Sequence, residues 1–101
     1  MADRLDLQSK LEKLNGNRNV YYDPPASLEM NYRAIRYSKK APDAKYANDK
    51  KYKTMNCYEV TVIDRLPDSS VINDLQELPY CAYDRHYVSD NLHHDVLTLY
   101  Y

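Results

Sequence analysis

The segment Met55-Asn56-Cys57-Tyr58-Glu59-Val60-Thr61-Val62-Ile63-Asp64 has the alternation of a β-strand. Tyr58, Val60 and Val62 fall on one face, while Cys57 and Ile63 place apolar groups on the other. Working upstream, Tyr32–Ser38 is a second strand, with Ile35 and Tyr37 on one face and Tyr32 and Ala34 on the other. Asn19–Tyr22 is a shorter one, ended by Asp23-Pro24-Pro25, because consecutive prolines enforce an extended, non-pairing backbone. Residues 3–15 read as a helix. Leu7, Leu11 and Leu14 share a face, Asp3 is a candidate N-cap, and Gly16, the single glycine of the chain, is a candidate left-handed C-terminal stop.

Downstream, Pro67-Asp68-Ser69-Ser70 opens a second helix with the apolar stripe Val71, Ile72, Leu75 and Leu78, ended by Pro79. Tyr80–Val88 and His94–Tyr101 are two last strands, turned by Ser89-Asp90-Asn91. The order α-β-β-β-α-β-β predicts a single α+β domain over residues 1–101. It has one mixed, mainly antiparallel β-sheet, with two helices on one of its faces. The other face then needs water or a partner, since several strands are apolar on both sides.

The 101 residues suit one compact core and no second domain. All twelve aromatic residues are tyrosine, with no Phe and no Trp, so the rings read as interface material: apolar bodies with hydroxyls that seek partners. No apolar run approaches the roughly 20 residues of a spanning helix, and Met1-Ala2-Asp3-Arg4 opens without a signal-peptide core. The expectation is a protein made in the cytosol, with Cys57 and Cys81 as buried free thiols and no membrane association.

Net charge is −1, yet it is split along the chain. Residues 1–55 hold 12 Lys/Arg against 7 Asp/Glu, and residues 56–101 hold 2 against 8, giving +5 and −6. Three readings stay open for the split: a nucleic-acid partner, a head-to-tail contact between copies of the chain, which closes into a ring when the rotation permits, or scatter on a solvated surface. The basic charge is concentrated in a segment of about 38–54, which reads as a long loop or as a loop with ragged strand extensions. It carries Lys39, Lys40, Lys45, Tyr46, Lys50, Lys51, Tyr52 and Lys53. Three readings stay open for it: a nucleic-acid contact with tyrosines as stacking rings, a solvated loop, or an arm that docks on an acidic neighbour. The acidic surface offered by the second half is Asp64, Asp68, Asp74, Glu77, Asp84 and Asp90, with Asp95 beside them.

The residues that could carry chemistry form no catalytic or metal-binding set. One glycine excludes phosphate-cradling loops. His93 and His94 are consecutive on a strand and point to opposite faces, so with His86, Asp90 and Asp95 they make a poor metal set. Ser69, Ser70 and Ser89 are explained by a helix start and a turn. Cys81 and His86 differ in parity and face opposite ways unless a bulge intervenes. The expectation is a non-enzyme with no cofactor.

Four stretches together carry a family likeness: Val20-Tyr21-Tyr22-Asp23-Pro24-Pro25, Tyr32-Arg33-Ala34-Ile35-Arg36-Tyr37, Tyr58–Ser69 with its Ile63-Asp64-Arg65-Leu66-Pro67-Asp68, and Tyr87–Tyr101. In this order they resemble the small tail-terminator, or tail-completion, proteins of long-tailed, non-contractile bacteriophages, over nearly the whole chain. The resemblance implies an α+β virion subunit that assembles as a homo-oligomeric, hexameric ring. The ring would cap the tail tube protein, end tube growth and meet the neck connector (stopper) protein, and phage DNA would pass through its lumen without sequence-specific binding. It also implies that Ser38–Thr54 is the family's variable loop, at the ring surface or lumen. Location would be the head–tail junction of the virion, and the host cytoplasm during assembly. The alternatives are another head-to-tail connector or neck ring protein, or a small nucleic-acid-binding regulator.

Overall fold

The structure is a computed structural model describing residues 4–16, 19–24, 32–40, 56–66 and 70–101. Its elements are α1 (Arg4–Asn15), β1 (Val20–Tyr22), β2 (Ala34–Lys39), β3 (Cys57–Asp64), α2 (Ser70–Gln76), β4 (Cys81–Ser89) and β5 (Leu92–Tyr100). The expected α+β order is the observed one. The five strands form one sheet in the order β1-β2-β3-β5-β4. β1 runs parallel to β2, and every other pair is antiparallel.

The strand first read from sequence lies at the centre. β3 pairs with β2 on one side and β5 on the other, with Val60 opposite both Tyr37 and Leu97. Alternation assigns the faces. Ile35, Tyr37, Tyr58, Val60, Val62, Leu97 and Leu99 form the core with Leu7 and Leu11 of α1 and Val71 and Leu75 of α2. Each leucine or valine fully buried this way contributes about 1.5–3 kcal/mol. Both helices therefore cover one sheet face. α1 packs on β1 and β2, and α2 packs on β4 and on α1. Leu78 falls beyond the end of α2 and still packs against the core, as do Leu14 and Ile72.

The tyrosines divide differently from the interface reading. Tyr37, Tyr58 and Tyr100 are buried, and Tyr37 lies 5.0 Å from the ring of Tyr22 and 5.9 Å from that of Tyr58. In a chain without Phe or Trp, tyrosine supplies the core's aromatic volume, and burial pushes the hydroxyls of Tyr37 and Tyr58 up from their ordinary pKa. The Tyr37 hydroxyl is satisfied at the α1 surface: it donates to Gln8 Oε1 and accepts from Arg4 Nη1 at 3.4 Å. Gln8 Nε2 in turn donates to the Val20 carbonyl at 3.0 Å, tying α1 to β1.

α1 ends as its sequence suggests. Gly16 has φ +78° and its amide bonds the Glu12 carbonyl at 3.0 Å. Arg33 finishes the cap, donating to the Asn15 carbonyl and, at 2.9 Å, to Asn15 Oδ1. A cation there satisfies a terminal carbonyl and the negative end of the helix dipole. A Cβ on Gly16 would meet only Arg33 Nη2, at 3.8 Å, so the cost of substitution is backbone strain alone. Gly16→Ala is expected to destabilise the protein by about 1 kcal/mol, read from the urea midpoint at unchanged slope.

β2 extends further than expected. Ser38 and Lys39 pair with Glu59 and Tyr58, and the Lys40 amide bonds the Cys57 carbonyl at 3.0 Å. Lys39 and Lys40, expected in the loop, therefore continue the sheet, because the long β3 offers partners up to that point. The N-cap Asp3, residues 67–69 and the rest of the basic segment, 41–55, lie outside the described residues.

Candidate functional site

β4 and β5 form a hairpin whose turn sets the site. Asp90 and Asn91 have φ +54° and +63°, and Ser89 pairs directly with Leu92. Two consecutive left-handed residues make the two-residue turn whose twist suits a hairpin, and Asp and Asn tolerate that conformation best after glycine. The register then follows: Val88 opposite His93, Tyr87 opposite His94, His86 opposite Asp95. At Asp84 the register shifts, between Tyr83 and Arg85. This bulge turns Tyr83 to the same face as His86, although their numbers differ in parity.

The result is a polar cluster at the rim of the helix-covered face. Asp95 is 6% exposed and opposite Val62. Its Oδ1 accepts from the Tyr83 hydroxyl at 2.6 Å and pairs with His86 Nδ1 at 2.8 Å. A carboxylate only accepts, so His86 carries its proton on Nδ1 and, when neutral, presents a lone pair on Nε2. That Nε2 lies 3.4 Å from His93 Nδ1. The hydrogen bond to Asp95 is the main cause that pushes the Tyr83 hydroxyl up to about 12, with burial and the carboxylate charge adding to it.

Cys81 shares this face and packs against the core, so the bulge also overturns its expected parity against His86. Both cysteines are free thiols, Cys57 buried and Cys81 partly so. Burial pushes the Cys81 thiol up to about 11, and a thiol held protonated at neutral pH is a poor nucleophile. Among the described residues no group of three or more His, Cys, Asp or Glu is arranged to hold a metal ion.

The opposite face of the sheet is polar around a small apolar centre. Ala34, Ile63 and Val96 are buried there. His94 stacks on Tyr87 at 4.6 Å, so His93 and His94 do point to opposite faces. Arg85 reaches Glu59 at 3.7 Å and Asp84 at 2.9 Å. A polar pocket of about 220 Å³ is lined by Asp23, Pro24, Arg36, Ser38, Glu59 and Thr61.

The residues singled out in the sequence are dispersed. Lys39 is exposed at the end of β2, and Lys40 crosses to donate to Thr98 Oγ1 at 3.0 Å. Lys45, Tyr46, Lys50, Lys51, Tyr52, Lys53 and Asp68 lie outside the described residues. Asp64 ends β3 and accepts from the Leu66 amide, Asp74 and Glu77 are exposed on and after α2, Asp84 pairs with Arg85 at the bulge, and Asp90 is in the turn. Asp95 is not part of an acidic surface, since it is buried and shared by Tyr83 and His86. The Tyr83–Asp95–His86–His93 cluster was missed. Counting outward from a two-residue Asp90-Asn91 turn would have placed His86 opposite Asp95, but nothing in the sequence marks the bulge.

What the sheet does with charge is more ordered. The described residues up to Lys40, which build α1, β1 and β2, carry seven Lys/Arg against three Asp/Glu. At the other end, α2, β4, the turn and the residue that follows α2 carry Asp74, Glu77, Asp84 and Asp90 against Arg85. Since β1 and β4 are the two sheet edges, and α1 covers one end while α2 covers the other, the charge split of the chain becomes a basic end and an acidic end of the molecule. The acidic end is bounded by β4, a nine-residue edge strand that is exposed along most of its length, Tyr83 and Val88 included. The basic end is bounded by the three-residue β1.

No family model, no curated protein and no solved structure matches this chain. Among the described residues no helix is long and apolar enough to cross a membrane.

Tyr83 gives a pH signature. Its folded pKa is raised above the ordinary 10, so the neutral hydroxyl's contribution is complete below pH 10 and is lost as pH rises towards about 12. The stability advantage of the wild type over Tyr83→Phe is expected to be constant up to pH 10 and to shrink above it, measured by urea unfolding at stepped pH.

Proposed function

We propose that this chain is a structural subunit of a long-tailed, non-contractile phage virion: a tail terminator whose copies form a ring. The ring, a hexamer by the family resemblance, caps the tail tube protein, stops its growth and presents a surface to the neck connector, and DNA passes through its lumen. The observation that carries this reading is the polarity of the molecule, basic at the β1–β2 end and acidic at the β4 end. A head-to-tail ring needs two different, complementary surfaces on each subunit, and their repetition closes when the rotation per subunit divides the full turn. The exposed β4 edge supports it further, because a long edge strand with unpaired backbone groups is a ready site for another chain. The α+β fold agrees with what the resemblance implies.

The experiment is electron microscopy of the purified protein at high concentration. The reading expects rings with a central hole. A protein that stays monomeric and binds duplex or single-stranded DNA with a steep salt dependence is a nucleic-acid-binding regulator instead.

A further inference from the structure

We propose that His86 and His93 form a two-imidazole clip for a divalent transition-metal ion of the zinc class. The argument rests on spacing and orientation. His86 Nε2 and His93 Nδ1 are 3.4 Å apart. That is long for a hydrogen bond, whose donor–acceptor distance is usually about 2.7–3.2 Å. Two nitrogens bound at about 2.0–2.1 Å to one tetrahedral zinc stand about 3.3–3.4 Å apart. The contact is at the long limit of an imidazole–imidazole hydrogen bond, and its spacing matches that of two nitrogens sharing one ion.

The orientation is also that of a ligand. Asp95, buried and held by the Tyr83 hydroxyl, accepts from His86 Nδ1, which leaves Nε2 as the donor atom towards the ion. A carboxylate behind a ligating imidazole fixes its tautomer and raises its basicity. Neutral imidazole suits zinc, nickel and copper, whereas magnesium and calcium prefer oxygen. The His86 side chain is 38% exposed and that of Asp95 only 9%, so solvent reaches the ligand while the orienting group stays shielded. The chain supplies two ligands, and water completes the coordination. The two histidines come from different strands, so a bound ion cross-links β4 to β5 close to the turn and stiffens the exposed edge strand.

The test is calorimetric titration of tag-free protein with zinc chloride, paired with nitrogen-15 NMR of the imidazoles. The expected result is one zinc per chain, with shifts confined to His86 Nε2 and His93 Nδ1. His93→Asn and His86→Phe are each expected to weaken binding at least about tenfold, and Asp95→Asn about tenfold, the usual effect of losing an orienting partner. Cys81→Ser is expected to leave binding unchanged. Because Asp95→Asn disturbs a buried group, the variant at half-buried His93, His93→Asn, decides: zinc binding that survives it overturns the proposal. So does the absence of saturable binding to the wild type, or a loss of binding caused by Cys81→Ser.

Discussion

Tyr37→Ala is expected to destabilise the protein by about 3–5 kcal/mol, the range for deleting a large aromatic from a packed core. Tyr37 is fully buried between β1, β3 and α1, with Tyr22 and Tyr58 against its ring. Its removal leaves a cavity where the helix meets the sheet, and it strips Gln8 and Arg4 of a shared partner. Domains of this size are stable by only about 5–15 kcal/mol, so the variant is expected to be largely unfolded at moderate urea. Tyr37→Phe keeps the volume and loses the hydroxyl, for about 1 kcal/mol. Urea denaturation of both variants measures this. A cost below 1 kcal/mol for Tyr37→Ala would mean that α1 does not dock on β2 through this ring.

The second large effect concerns assembly. Changing Lys39, Lys40, Lys50 and Lys51 to Glu is expected to weaken ring formation by at least about tenfold at low salt, since like-charge juxtaposition across an interface costs several kcal/mol. Lys39 and Lys40 stand at the end of β2, on the basic side of the sheet. A companion change on the acidic side, Asp74→Lys with Glu77→Lys, is expected to restore association when combined with it. Both residues are exposed at the α2 end of the molecule, away from the core. Native mass measurement of the two sets, singly and together, reads the outcome. Equal assembly of all variants would contradict a charge-complementary contact.

Most of the fold was legible because its elements are locally consistent. The alternation of Tyr58, Val60 and Val62, the stripe Leu7, Leu11 and Leu14, and the stop at Gly16 each state one element and its buried face. Helix and strand periods differ, so α1 and β3 could not be confused. The site was less legible. A period-2 reading puts Cys81 and Tyr83 on one face and His86 on the other, and one unmarked bulge at Asp84 brings all three to one face. The same arithmetic rightly separated His93 from His94, and so drew attention from the cross-strand pair His86 and His93. An all-tyrosine aromatic inventory reads as interface material, yet Tyr37 and Tyr58, the most enclosed of the rings, are core. Composition alone does not say which rings replace the missing phenylalanines. The charge split along the chain was plain from the sequence. That it maps to opposite ends of the molecule depends on the strand order, with β5 inserted between β3 and β4.

The central claim is that the subunit is built to repeat head to tail into a closed ring. Native mass spectrometry over a rising concentration series tests it most directly. A hexameric ring gives one dominant closed species near six times 11.9 kDa, which no larger species outgrows. A protein that remains at 11.9 kDa throughout, or that grows without limit into open polymers, would contradict it.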